Sequence, residues 1–433
     1  IHSIDVHPDG TRLATGGGDN HARVWAVAPI CFQAAQDDPE RHPRQLALLT
    51  RHAGALNVVR WSHDGAHLCT GSDDNTAIVW RMAPGVSALG NHENWGCCLT
   101  LRGHNADVKD AAWSPRDDMV ATCSIDNTVR VWRIDNPDSG SILTRAVAVL
   151  RGHENWVRGL AWDPVGKYLA SSGDDNALVL WRTSDWKQER RIVEPFVGST
   201  SMCTVRRVSW SPDGKSLCAS HAFKKPKHVA VLVERGDWTS NMSLVGHDMP
   251  VGAVRFNGRL FSGADSSSSS GSSKSKSKKK SRKSKTKTAQ PRMLCAVGSQ
   301  DATLTVWMTA QSRPLAIIRN LFDVEISDLS WNSGGTGSLS GRCLFVCSLD
   351  GSVACVQFEG NELGEILPVE KTKERLRNIY GVSAFATDNL LVESTSQLAL
   401  EIGGISGGTG LDAVGAAAAA AQAAALMARR AMA

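Results

Sequence analysis

The sequence predicts an all-β fold, a seven-bladed β-propeller, and three observations point to it. A His and a Trp recur 28 residues apart, as His52 to Trp80, His104 to Trp132 and His153 to Trp181. In each interval a second Trp lies nine residues after the His (Trp61, Trp113, Trp162) and an Asp lies six before the closing Trp (Asp74, Asp126, Asp175). Between these markers the chain alternates apolar and polar residues in short runs broken by turn residues, which is the period of strands.

One such unit cannot bury its own apolar face, so copies must pack side by side. A Gly-His pair and a Trp within a repeat of about 45 residues are the signature of a four-stranded WD40 propeller blade. Seven copies can be counted. Ile1 to Trp25 begins partway into a unit but keeps Asp19 and Trp25; units two to four are the three intervals above. Val205 to Trp238 keeps Trp210 and the Ser-Pro-Asp-Gly turn at 211–214, His247 to Trp307 contains a long insertion, and Ile326 to Phe358 keeps Trp331 and Asp350. The first residue is Ile1 and the first unit lacks its Gly-His and preceding strand, as expected of a truncated amino terminus.

Within a unit the polar residues can satisfy one another. Asp126 can accept from the ring of His104, whose other nitrogen can reach the Ser124 hydroxyl, which can pair with the Trp132 indole N–H. The same types recur as His52, Ser72, Asp74, Trp80 and as His247, Ser299, Asp301, Trp307. His153, Asp175 and Trp181 form the fourth set, where Gly173 stands at the Ser position and an incomplete network is expected. A His beside an Asp can suggest catalysis, but one repeated at a fixed place in every blade is structural.

Composition agrees with a large folded core: 433 residues, 42% hydrophobic and 21% charged. No long run of large apolar residues suggests a membrane span, and no secretory leader opens the chain. Eleven cysteines without ordered spacing fit a reducing compartment. Cys69, Cys123, Cys218, Cys295 and Cys347 fall at what read as matching second-strand positions, suited to a small apolar side chain. Cys97-Cys98 and the Cys343, Cys347 pair lack partner ligands nearby in sequence, so no metal and no cofactor is expected.

The propeller is expected over residues 1–360, a partly helical segment over 361–402 and a Gly/Ala-rich tail over 403–433. Insertions at 26–46 and 82–98 follow third strands, and 258–291 joins a first strand to a second; all should emerge on the rim opposite the His and Asp turns. Loops on a rigid scaffold are where partners bind. From Lys274 to Lys287 the last insertion holds eight lysines and one arginine with no acid. Removing these nine charges turns the total of +5 into −4, so the basicity of the chain belongs to this segment. Its composition predicts disorder. Lys278, Lys279, Lys280, Arg282 and Lys283 form a candidate nuclear-import signal; the plainer reading is a solvated linker, and nothing resembles a nucleic-acid recognition helix. No phosphate loop, nucleophile elbow or metal-binding His pair is present, so an enzyme is not expected.

Particular segments go beyond a generic repeat. The opening IHSIDVHPDGTRLATGG, then NVVRWSHDGAHLCTGSDDN, WDPVGKYLAS, SDWKQE, VSWSPDGKSLCASHA, ERGDWTSNMSLVGH, CAVGSQDATLTVW, RPLAIIRNLFDVEISDLSW and CSLDGSVACVQFEGNELGE all resemble the HIRA family of histone chaperones. The similarity covers roughly residues 1–380. It implies a nuclear, non-catalytic subunit that deposits histones outside DNA replication and, in related proteins, represses histone genes. The propeller would be the docking platform for a ubinuclein-type subunit. Histones and the anti-silencing histone chaperone would be reached through the assembled complex and chromatin indirectly, with no membrane and no small-molecule substrate. Nothing in residues 403–433 looks like the short basic strand expected to bind the anti-silencing chaperone.

Two other classes compete. The medium WD40 subunit of replication-coupled chromatin assembly factor shares a segment like Glu93 to His104, but units five to seven favour HIRA. Cullin-ligase substrate receptors end repeats in Trp-Asp-x-Arg, whereas here Arg81, Arg133 and Arg182 follow the closing Trp residues. Interface energy concentrates in aromatic and Arg anchors, which makes Trp95, Trp156, Trp186 and Trp238 partner-binding candidates, each with the plainer reading of covering a blade edge.

Overall fold

A computed structural model describes residues 1–381 apart from positions 39, 86, 88, 135–144, 200–202, 263–290, 310 and 335–338. Its strands form seven antiparallel sheets, consecutive along the chain. They span residues 3–49, 56–102, 108–151, 157–192, 209–247, 251–318 and 326–357. Six sheets have four strands and the seventh has three. The fold is therefore the seven-bladed propeller that the repeat predicts.

Blade three shows why the sequence folds this way. Its strands Val108–Trp113, Met119–Ser124, Thr128–Arg133 and Ala146–Arg151 pair in order, each with its neighbour. The first strand is innermost, packing on the first strands of blades two and four around a common axis. Turn chemistry makes the reversal between the second and third strands cheap. The Asp-Asn turns hold Asn75, Asn127 and Asn176 at φ 65°, 64° and 52°, a left-handed conformation that Asn tolerates better than most residues. In blade three the Asp126 carboxylate also accepts the Thr128 N–H at 3.0 Å, closing the turn from within.

In blades two, three, four, six and seven a one-residue bulge falls at the second residue of the innermost strand, at Asn57, Lys109, Arg158, Gly252 and Ser327. Bulges re-aim side chains. The Asn57 amide thereby reaches the Val108 carbonyl of the next blade at 2.9 Å.

Blades are also stitched together on the opposite rim. The first-strand indoles of Trp61, Trp113, Trp162, Trp210 and Trp331 donate to the carbonyls of Asp5, Arg60, Ala112, Ala161 and Arg255, each in the preceding blade, at 3.0–3.3 Å. The recurring Trp nine residues after the His thus records ring assembly. Cys69, Cys123, Cys218, Cys295 and Cys347 are buried on second strands, but not in register. They pair with Arg60, Asp110, Ser209, Phe256 and Asp328, which are three different positions relative to the end of the first strand.

Beyond blade seven the described residues stay on the disc. Residues 359–368 run back past blade six, where Leu367 donates to Leu260 and Ser262 to Glu365, both at 2.8 Å. A helix over Val369–Tyr380 follows, ended by Gly381 at φ 87°. Its Leu376 and Tyr380, four apart and so on one face, are buried. The Tyr380 hydroxyl donates to the fully buried Asp163 of blade four, and Arg375 pairs with Asp213 of blade five at 2.6 Å. A Cβ on Gly214 (φ 69°) would stand 2.0 Å from the Tyr380 hydroxyl oxygen, so the turn glycine both makes the turn and seats the ring. The tail, the candidate import residues Lys278, Lys279, Lys280, Arg282 and Lys283, and the rest of the 263–290 stretch lie outside the described residues.

Candidate partner-binding site

Each relay begins at the turn joining the second and third strands. In blade three the His104 Nδ1 lies 2.9 Å from Asp126, and its Nε2 lies 2.9 Å from the hydroxyl of Thr122. The Trp132 indole donates to the same hydroxyl at 2.8 Å. The indole can only donate, so Thr122 accepts it and gives its own proton to Nε2, leaving Nδ1–H to face the carboxylate. Asp126 sits well below the ordinary carboxylate range. Burial would raise it, but hydrogen bonds from His104, Thr128 and the Asn105 N–H outweigh that cost.

This corrects the expected hydroxyl. Ser124 donates to the Ala106 carbonyl at 2.9 Å and accepts from the Asp126 N–H, so it builds the turn rather than the relay. Ser72 does the same with Gly54, and Ser299 with Met249. Thr70 serves His52 and Trp80. In blade four Ser171 serves His153 and Trp181 at 2.7 and 2.9 Å, so Gly173 leaves nothing incomplete. Blade six has Val297 at that position, and Thr305 of the adjoining strand takes its place for His247 and Trp307. The Nδ1 of His247 is 3.7 Å from Asp301, too far for a hydrogen bond, which makes this the loosest of the four relays.

The axis is filled by a second polar device. Arg60 of blade two and Arg207 beside blade five flank Asp110 of blade three and Asp328 of blade seven. Arg60 is 2.8 Å from Asp328 and Arg207 is 2.6 Å from Asp110 and 3.1 Å from Asp328, all four side chains being buried. Arg255 pairs with Asp5 at 2.7 Å nearby. Burial would raise Asp328, yet Arg207 and Arg60 hold it far below the usual carboxylate range. Charge balances within the cluster, and the groups that could do chemistry at the axis are engaged with one another. Sequence offered little warning, since these residues come from six different blades.

On the rim opposite the His and Asp turns, Trp61, Trp113, Trp162 and Trp210 line a cavity of about 420 Å³. Three of the four candidate anchors turn inward on this rim. Trp95 is buried against Trp61 at 5.2 Å with its indole on Glu93, Trp186 lies edge-on to Trp162 at 5.9 Å, and Trp238 sits between Trp210 and Tyr168. They stack on the first-strand indoles of their own blades and are unavailable as protruding anchors.

Trp156 differs. It lies on the His and Asp rim of blade four and is 44% exposed. The Arg158 guanidinium stands 5.0 Å from the ring centre, held by Asp174 at 2.7 Å and the Thr204 carbonyl at 2.9 Å. Val193 and Val197, in the connection that leaves blade four on the same rim, are exposed at 38% and 69%. That connection is tied to the Asp turn of blade four through Asn176 and Ser199. A fixed Arg over an exposed indole, on a rim that also exposes apolar side chains, is the chemistry of a protein-docking patch.

These features define a WD-repeat propeller with hydrogen-bonded relays in its blades and a paired ionic cluster at its axis. A sequence model of the CAF1B/HIR1 beta-propeller domain matches residues 1–363. The chain belongs to that family. Protein HIRA of Takifugu rubripes is 42% identical over 400 residues, covering 90% of this chain and 36% of that protein. Protein HIRA of Oryza sativa subsp. japonica is 43% identical over 413 residues, covering 93% and 40%. Protein HIRA of Homo sapiens is 42% identical over 396 residues, covering 88% and 36%. The chain thus spans little more than a third of the length of these relatives. Among the described residues no helix is long and apolar enough to cross a membrane.

Proposed function

We propose that this propeller is a non-catalytic docking platform of a HIRA-type histone-chaperone complex, acting in the nucleus in replication-independent nucleosome assembly and in repression of histone genes. The observation that carries the reading is identity near 42% to Protein HIRA over 88–90% of the chain. The self-neutralised axis supports a role in binding, because catalysis needs titratable groups left free for a substrate. The direct partner is a ubinuclein-type subunit, with Trp156 and Arg158 among its contacts. Histones and the anti-silencing chaperone are reached through the assembled complex. Lys278, Lys279, Lys280, Arg282 and Lys283 direct nuclear import; deletion of residues 274–287 should abolish nuclear accumulation, and unchanged accumulation would remove that assignment.

The test of docking is capture of a ubinuclein-type segment by this chain, compared with histones alone. Binding of the subunit should weaken in Trp156→Ala by about 2 kcal/mol, roughly thirtyfold in Kd. Capture of histones without the subunit would overturn the platform reading, and an unaffected Trp156→Ala would move the contact elsewhere on the disc.

A further inference from the structure

Blade seven is where the ring closes, and among the described residues it has three strands instead of four. Its outermost strand, Val353–Gln357, is half-exposed. Against this seam lies a short helix, Ala28–Cys31, from the connection between the third and fourth strands of blade one. Val27, at its start, packs with Cys343 and Phe345 of blade seven.

Three thiols meet there. The sulfur of Cys355 lies 3.0 Å from that of Cys343 and 3.7 Å from that of Cys31, and all three fall within 4.8 Å of one another. Ligand sulfurs about 2.3 Å from a tetrahedral cation would stand roughly 3.8 Å apart, so the Cys31–Cys355 edge already fits a thiolate face and the shorter Cys343–Cys355 edge would widen to admit the ion. Cys343 is buried, whereas Cys31 and Cys355 are half-exposed, which gives an ion an entry path and leaves one side open to solvent. The Gln357 amide, 3.9 Å from the Cys355 sulfur, supplies a donor of the kind that orients thiolate ligands. Simple core packing would not require three polarisable sulfurs to converge from two blades.

We infer that Cys31, Cys343 and Cys355 bind one thiophilic divalent cation of the zinc class, with solvent in the fourth position, as a clasp across the seam between blades one and seven. On binding, each ligating thiol gives its proton to water as its sulfur bonds the metal, with no change of oxidation state. Soft thiolates select such ions over magnesium or calcium. A ligand set split between Cys31 and two residues more than 300 positions later has no spacing by which a sequence could announce it.

The experiment uses the full chain, reduced and stripped of metal, titrated with Co²⁺ and then Zn²⁺. One equivalent of Co²⁺ should produce sulfur-to-cobalt charge-transfer absorption and the intense ligand-field bands of tetrahedral coordination, both erased by Zn²⁺. Cys31→Ser and Cys355→Ser should each weaken Zn²⁺ binding by more than the roughly hundredfold that an outer-sphere change can cost, with the metal-free melting temperature unchanged. Cys97→Ser should bind as the parent does. Absence of stoichiometric uptake, undiminished binding in either serine variant, or a Cys343–Cys355 disulfide that survives treatment with excess reductant would overturn the assignment. The cobalt spectrum of the unsubstituted chain decides the matter even if a variant fails to fold.

Discussion

Thr122→Val tests the relay most directly, because valine keeps the shape of threonine and removes only the hydroxyl. Thr122 is fully buried, so water cannot replace the lost group. Two partners are then stranded: the Trp132 indole N–H, which donates at 2.8 Å, and the His104 Nε2 at 2.9 Å. Each buried polar group left unmatched costs about 1–3 kcal/mol, and together they should cost about 2–5 kcal/mol. Unfolding entropy near 2.1 cal/mol/K per residue over some 330 ordered residues makes that a fall of roughly 3–7 °C in Tm. Ser124→Ala, at the position sequence reasoning favoured, removes two part-buried turn bonds, one given to the Ala106 carbonyl and one taken from the Asp126 N–H, that water at the rim can partly replace, and should cost only about 1–2 kcal/mol. Calorimetry of both variants beside the parent decides. A Thr122→Val melt within a degree of the parent, or a Ser124→Ala variant that is the less stable of the two, would refute the assignment.

Asp328→Ala removes the anion between two buried arginines and should destabilise by about 3–5 kcal/mol, measured as a lower Tm; a neutral effect would show that the axial cluster is not a structural network. Asp74, Asp126, Asp175 and Asp301 are held below the usual carboxylate range, Asp175 at about 2, because hydrogen bonds outweigh the burial that would raise them. A carboxylate depressed in the folded state stabilises fully above its unfolded pKa, near 3.9, and loses that contribution as pH falls through the folded value. Tm should therefore be level from pH 8 to about 5 with respect to these groups and fall between about pH 4.5 and 2, with a shallower fall in Asp126→Asn. Tyr380→Phe removes the hydroxyl on Asp163, whose own pKa burial raises despite Arg235 and Tyr380. With a charged hydrogen bond worth about 1.5–3 kcal/mol, amide exchange over residues 369–380 should quicken roughly 10- to 150-fold while the blades stay protected.

How much of this was legible depended on whether a feature repeats. The turn Asp and Asn residues, the first-strand Trp and the closing Trp recur at fixed spacing, so alternation and turn chemistry declared the blades. Thr122 was also visible in principle: Thr70, Thr122 and Ser171 each stand four residues before the turn Asp and ten before the closing Trp. Ser124 and Thr122 lie two apart on one strand, hence on the same face, and only coordinates tell which hydroxyl meets the ring. The extra Trp residues posed the same difficulty. Trp156 and Trp186 both lie in connections, yet one protrudes and the other folds onto Trp162.

By itself, then, the amino-acid order determined strand, turn and blade, because those depend on contacts between residues a few positions apart and are written seven times over. Tertiary structure alone decided what lies between blades: the Arg60, Asp110, Arg207, Asp328 cluster, the helix that brings Tyr380 back to Asp163, and the three thiols at the closing seam. Each joins residues far apart in sequence and occurs once, so only closure of the ring brings its members within bonding distance.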